Sequence, residues 1–383
     1  MLTTLKNTLV PNGGWQQVLS EFASRFGVRY AFAVSSGRAG LWAVFRVLRR
    51  LKPERQVVAV PAYTCFSVPA AVARAGLKLL PVEIDPQTLD FDFAQLESLP
   101  ADNLLCIVTG NLFGLVNDVP RIRQIAAAKG AFVVDDAAQA MGATFRGCPA
   151  GTMGDVGIYS LGRGKALAAV EGGIVVTQSD AIARELRAEL ASLPPASFTR
   201  SATVLAKMVA GSLFLRPSLY WIPNSLPFLK LGVTEYDPNF PVGQLSATSE
   251  TLFSKLFSQL DYLNDIRRKN AQTLEQALAV HRKFQVLQPL PESKPIYIRF
   301  PVIAADAEIQ RAALEKLRAS GLGASGYYPS AVCDIEAARP HMLHVECHRP
   351  AAESVARRML TLPTHPLVTP FDLQAMVRVL EEC

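Results

Sequence analysis

Cysteine is scarce, with six in 383 residues, and no two are spaced as C-x-x-C. This argues against a disulfide-built scaffold or a zinc ribbon and fits a reducing compartment. No uncharged apolar run reaches 18 residues, so a membrane-spanning helix is not expected. The opening MLTTLKNTLVPNGG has no basic segment followed by an apolar one, so no secretory leader is expected. Net charge is +6, but the lysines and arginines are scattered, which disfavours a nucleic-acid partner. Half the residues are hydrophobic and 19% are charged. That composition excludes a disordered or collagen-like chain and leaves enough length for one large or two medium domains.

From about residue 28 to 180, short apolar segments alternate with helical ones. Strands are expected at Tyr30–Val34, Val57–Val60, Leu79–Glu83, Leu105–Val108, Phe132–Asp135, Val156–Ser160 and Gly173–Thr177. Several are continuous β-branched or aromatic runs, as in strands buried on both faces of a parallel sheet. Ala39–Leu51 and Val119–Lys129 have helical period. The expected fold class is therefore α/β, a large domain with a mostly parallel central sheet flanked by helices. Residues 246–383 follow another pattern, with a long helix over Ser246–Leu278, a strand at Tyr297–Val302, a helix over Ala307–Ala319 and a last helix over Pro370–Glu382. They predict a small C-terminal α+β domain after a large domain spanning 1–245.

Residues 201–245 break the alternation. They are apolar and aromatic, rich in proline, and interrupted by Lys207, Arg216 and Lys230. Their expected role is a cover over the site or a subunit contact. The alternative is contact of 203–233 with a membrane surface or a lipid-linked substrate.

Two glycine motifs fail. Gly321–Gly326 matches G-x-G-x-x-G, but a helix precedes it where the dinucleotide fingerprint needs a strand. Gly321 reads better as the end of that helix. Gly162-Arg-Gly-Lys165 hints at a phosphate loop, but Tyr159 and Ala166 stand where that motif needs glycine and Ser or Thr. Cys333, His341, His344, Cys347 and His348 could hold a metal, yet their spacing matches no common zinc pattern. No metal is expected.

Three elements carry chemistry. Val133-Val-Asp-Asp136 is an apolar strand ending in acids, and ligands of open α/β sheets bind at such strand ends. Twenty-nine residues on, Ser160-Leu-Gly-Arg-Gly-Lys165 brings a lysine to a strand end through a glycine-rich loop. Ser35-Ser-Gly-Arg38 lies between strand and helix, where free backbone N–H groups suit a phosphate. Alone, each has a commonplace explanation: a capping Asp, a solvated lysine, a serine cap. Together they describe pyridoxal 5'-phosphate, which needs a lysine, a carboxylate for the pyridine nitrogen and a phosphate cup.

The sequence resembles the DegT/StrS-type sugar aminotransferases, a branch of the fold-type-I pyridoxal-phosphate enzymes. The match runs through Ala33-Val-Ser-Ser-Gly37, Val60-Pro-Ala-Tyr-Thr64, Asn111-Leu-Phe-Gly114, Val134–Ala140, Gly154–Ser160, Lys165 with Glu171-Gly-Gly173, and Leu360-Thr-Leu-Pro-Thr-His-Pro366. The resemblance implies that Lys165 joins the cofactor covalently and shuttles a proton, and that Asp136 pairs with the pyridinium nitrogen. It places Gln139 near the ring oxygen and Thr64 in the pocket wall. Ser160 and the backbone N–H groups of Ser36, Gly37 and Arg38 would bind phosphate.

Several positions depart from the family pattern. Arg38 stands for a usual threonine. Cys65 stands where an aromatic residue usually covers the ring, with Tyr63 or Phe66 as substitutes. Asn111 and Met141 replace frequent histidines, and Asn239 is the candidate for the asparagine that reaches a partner subunit's site. The resemblance implies a transaminase acting on a keto-sugar, nucleotide-linked, with glutamate as donor, for polysaccharide or glycoconjugate synthesis. Family members that dehydrate sugars carry histidine in place of the lysine, so Lys165 argues against that outcome. A cytoplasmic homodimer is implied. The alternatives are a transaminase on a lipid-linked ketone and a non-catalytic regulatory or assembly homologue.

Overall fold

A computed structural model describes residues 14–214, 235–344 and 346–383. Its centre is a seven-stranded sheet built from β1 (Tyr30–Val34), β2 (Val57–Pro61), β3 (Lys78–Val82), β4 (Leu104–Val108), β5 (Phe132–Asp136), β6 (Val156–Ser160) and β7 (Gly173–Thr177). Their spatial order is β1-β7-β6-β5-β4-β2-β3. The neighbours from β3 through β6 pair in parallel, and β7 runs antiparallel to both β6 and β1. All five residues of β2, β4 and β7 are buried. Helices cover both faces of such a sheet, so the strands read as unbroken apolar runs.

The helix Gly37–Leu51 follows β1 directly. Ser36 caps it, its Oγ accepting from the Ala39 N–H at 3.1 Å. Gly40 lies against the sheet, where an added Cβ would meet Val175 at 3.1 Å, so glycine permits the close approach.

Past residue 245 the expected single helix is two. Ala247–Leu256 and Leu260–Leu278 are separated by a 3-10 turn at Phe257–Gln259. The turn buries Phe257, 5.4 Å from Phe22 and 5.2 Å from Phe253 by ring centroids. One 3-10 turn barely shifts the apolar register, so the sequence repeat runs through it unbroken. A three-stranded antiparallel sheet follows, formed by β8 (Phe284–Val286), β9 (Arg299–Ala304) and β10 (Met359–Pro363). The strand expected at Tyr297–Val302 lies two residues later. The helices Ala307–Ala319 and Pro370–Glu381 fall where the periodicity puts them. Gly321, at φ +70°, ends the first of these and lets Leu322 N–H reach the Leu317 carbonyl at 3.0 Å.

Cys333 and Cys347 form a disulfide with Cα atoms 5.5 Å apart. The sequence reading, which argued against a disulfide-built scaffold, did not foresee this single pair. Tertiary folding brings two irregular segments together there, and spacing alone does not announce it. Among the described residues no cluster of three His, Cys, Asp or Glu side chains could hold a metal. A helix spanning Phe198–Phe214 enters the 201–245 stretch, and residues 235–245 return toward β1. The expectations resting on 215–234 lie outside the described residues. Among the described residues no helix is long and apolar enough to cross a membrane.

Candidate active site

Parallel strands deliver their carboxyl ends to one edge of the sheet, and ligands bind there. In this protein that edge holds Ser36 after β1, Thr64 after β2, Gly110 after β4, Asp136 ending β5 and Ser160 ending β6. Because β7 runs the other way, its leading residues Glu171 and Gly172 reach the same edge. These residues line one cavity of about 240 Å³.

Ser36, Gly37, Arg38, Thr64, Asp136, Gln139, Ser160 and Lys165 all line it. Asn239 does not; it is exposed, and its N–H donates to Asp237 Oδ1 at 2.8 Å. Cys65 lines the cavity, whereas Tyr63 is fully buried in the core and Phe66 packs on Tyr328. Neither aromatic residue proposed as a substitute cover therefore faces the cavity. The reason is local: both rings are drawn into packing with Tyr328.

Two adjacent carboxylates end β5, and their surroundings separate them. Asp135 is wholly buried and fully supplied with donors. Asn111 Nδ2 donates to it at 2.7 Å, Thr109 Oγ1 at 3.3 Å, and the N–H groups of Gly151 and Met153 at 2.7 and 3.2 Å. Burial raises its pKa and these donors oppose the rise. Asp136 is 6% exposed. Its Oδ1 accepts from the Ala138 N–H at 2.9 Å. Burial pushes its pKa up to about 6, with the Ala138 N–H and the Lys165 charge pulling down and Asp135 adding to the rise. A buried carboxylate turned to a cavity and short of cationic partners suits a ligand that brings a positive charge.

Lys165 sits in the turn after β6. Its N–H donates to the Gly162 carbonyl at 3.3 Å, and Gly164, at φ +74°, makes the turn. The loop is pinned on both sides. Leu161 N–H donates to the Gly172 carbonyl, the Leu161 carbonyl accepts from the Ala169 N–H, and Arg267 Nη2 donates to the Ala166 carbonyl at 3.0 Å.

Opposite, the first-turn N–H groups of Gly37 and Arg38 have no intrahelical carbonyl within reach. A Cβ on Gly37 would stand 3.1 Å from Ser160 Cβ, so glycine keeps this cradle open. The helix end, the Ser36 and Ser160 hydroxyls, the buried carboxylate and the lysine fit pyridoxal 5'-phosphate.

The chain matches the family model described as the DegT/DnrJ/EryC1/StrS aminotransferase family over residues 7–199 and 244–381. The chain belongs to this family. It is similar to GDP-perosamine synthase of Caulobacter vibrioides, 32% identical over 166 residues. That match covers 43% of this chain and 44% of the relative, less than half its length. A pleiotropic regulatory protein of Geobacillus stearothermophilus is 26% identical over 85% of this chain and 77% of its own. The fold is shared with Escherichia coli GDP-4-keto-6-deoxy-D-mannose-3-dehydratase, solved with hydrated PLP bound. There the TM-score is 0.77 at 22% identity, covering 99% of this chain and 95% of that one. Pyridoxal phosphate, expected from the sequence, is the cofactor of the DegT/DnrJ/EryC1/StrS enzymes.

Sequence reasoning missed the tyrosine pair that fixes Gln139, a residue lining this family member's cavity. Gln139 Oε1 accepts from the Phe113 N–H at 2.9 Å and from Tyr327 Oη at 3.1 Å. Its Nε2 donates to Tyr328 Oη at 2.7 Å. Tyr327 is held at φ +67°, an uncommon conformation for a bulky residue. Burial raises its pKa, and the Lys165 charge opposes the rise. The tyrosine pair in an irregular stretch was the available signal, but nothing in the sequence ties it to Gln139. Glu171 was also unassigned. Arg200 holds it through Nε at 2.8 Å and Nη2 at 3.3 Å.

Proposed function

We propose that this chain is a pyridoxal-phosphate transaminase moving an amino group from glutamate to the ketone of a nucleotide-linked keto-sugar. One observation carries the reading: Lys165, Asp136 and an open helix N-terminus line the same cavity at one sheet edge. The cofactor, when bound, supplies an electron sink for negative charge developing on a substrate carbon.

The chain's residues would do the rest. The N–H groups of Gly37 and Arg38 and the hydroxyls of Ser36 and Ser160 hold phosphate. Ser36 Oγ accepts from Ala39, which leaves its own proton to donate. Asp136 keeps a proton on the ring nitrogen. Gln139, its amide fixed by Phe113, Tyr327 and Tyr328, orients the ring oxygen. Thr64 forms the wall. The Lys165 amine takes a proton from the substrate carbon and returns it. The names of the relatives support the sugar class. GDP-perosamine synthase and UDP-N-acetyl-3-dehydro-alpha-D-glucosamine 3-aminotransferase both carry nucleotide-linked sugars in their names. Lys165 supports transamination over dehydration.

Asn239, exposed and outside the cavity of its own chain, is in keeping with a homodimer whose subunits complete each other's sites. Polysaccharide or glycoconjugate synthesis in the cytoplasm is the setting this reading implies.

The test is a single turnover of loaded protein with L-glutamate, then with a panel of GDP- and UDP-linked keto-sugars. Stoichiometric 2-oxoglutarate, followed by an amino-sugar on one panel member, is the expected result. No keto acid from glutamate, glutamine or any other amino acid would overturn the reading.

A further inference from the structure

Arg38, which lines the cavity, shares one aromatic ring with a second arginine. The Arg38 guanidinium carbon lies 5.3 Å from the centre of the Phe240 ring, and that of Arg74 lies 4.8 Å from the same centre. Phe240 is 1% exposed. Its segment is tied to the strand end before Arg38, with Ser35 N–H donating to the Gly243 carbonyl at 3.0 Å and Gly243 N–H donating to Ser35 Oγ at 3.2 Å. Arg74 is fixed further by donating to the Pro238 carbonyl at 3.1 Å. An aromatic ring attracts a cation to its face through its quadrupole. One buried ring here serves two.

Among the described residues, neither Arg38 nor Arg74 has a carboxylate within ion-pair distance. The next cation along, Arg46, stacks on Trp42 and takes Glu189, which Arg50 shares. Two guanidinium groups thus share one ring, with no carboxylate paired to either among the described residues. Of the two, only Arg38 lines the cavity, beside Gly37, Ser36 and Ser160.

We propose that the Arg38 side chain is a ligand for a phosphate group, with Phe240 and Arg74 positioning it. A guanidinium presents a planar fork of donors that matches two phosphate oxygens at once. Threonine, usual here in resembling sequences, offers one hydroxyl and no charge. The phosphate belongs either to the cofactor or to a nucleotide-linked substrate; the chemistry is the same, and the presence of either ligand rests on the proposed function.

The experiment titrates cofactor-free wild type, Arg38→Thr and Arg38→Lys with pyridoxal 5'-phosphate and with unphosphorylated pyridoxal, at low and high salt. The same proteins are titrated with uridine diphosphate. If Arg38 holds the cofactor, Arg38→Thr weakens pyridoxal 5'-phosphate binding about tenfold and flattens its salt dependence. Pyridoxal binding then stays within twofold, and Arg38→Lys recovers part of the loss. If Arg38 holds the substrate, cofactor binding is unchanged and uridine diphosphate binding weakens about tenfold instead. A change below threefold for both phosphate ligands, in a variant with wild-type circular dichroism, overturns the proposal. Wild-type protein that takes up no cofactor would instead refute the transaminase reading, while the uridine diphosphate titration still decides on Arg38.

Discussion

Gln139 donates to Tyr328 Oη over 2.7 Å, joining residues 189 apart in the chain. The first lies just past β5 and the second in the irregular stretch after the helix Ala307–Ala319. The C-terminal part of the molecule thereby holds a side chain that lines the cavity.

Both partners are buried, at 3% exposure each. Tyr328→Phe strands a Gln139 amide proton with no acceptor, which costs about 1–3 kcal/mol. Tyr327→Phe removes one donor from Gln139 Oε1 but leaves the Phe113 N–H in place, so it should cost less, about 0.5–1.5 kcal/mol. Urea unfolding of the two variants gives the order. An equal or reversed order would show that the amide is not fixed as described.

Asp136 makes stability depend on pH in cofactor-free protein. Its pKa rises from 3.8 to about 6 on folding. Between those values the folded state binds more protons than the unfolded one, so stability falls as pH rises through that window. Above it the full penalty remains, on the order of 3 kcal/mol. Asp136→Asn should therefore be more stable than wild type at pH 7.5 and show little advantage near pH 4. Asp90, raised to about 7 by burial, is present in both proteins and cancels. Denaturant midpoints at the two pH values check this; a gap that does not change with pH contradicts it.

Gly157 lies within β6, between β5 and β7. A Cβ there would fall 1.7 Å from the Gly151 carbonyl oxygen, and the Gly151 N–H is one of the donors to Asp135. Gly157→Ala should cost about 3 kcal/mol or more. Gly147→Ala, at φ +77° but with nothing within 4 Å, should cost about 1 kcal/mol. Thermal midpoints of both, with wild type alongside, separate a steric clash from a backbone preference. Comparable losses would mean the β6 neighbours yield easily.

Much of this architecture is legible in the residues. Val57–Pro61, Leu104–Val108 and Gly173–Thr177 are continuous apolar runs because both their faces are covered, and such runs announce themselves. Asp136 and Lys165 are legible because the first ends an apolar strand and the second follows one. Met359–Pro363 is different. It is a strand because Arg299–Ala304 pairs with it, and five residues carry no period of their own. The helix Gly14–Phe26 likewise owes its place to Phe22, packed on Phe26, Tyr159 and Phe257. The Gln139–Tyr328 bond and the Arg38–Phe240–Arg74 stack join segments whose proximity only the folded chain supplies.

The central claim is that Lys165 holds the cofactor. The most direct test is the visible spectrum of purified wild type and Lys165→Ala, each supplied with pyridoxal 5'-phosphate, before and after borohydride, followed by intact mass. The account predicts a yellow band in wild type that borohydride abolishes, with the cofactor mass then fixed to the protein at Lys165. Lys165→Ala should carry no fixed mass. Equal fixation in both proteins, or none in wild type, would contradict the account.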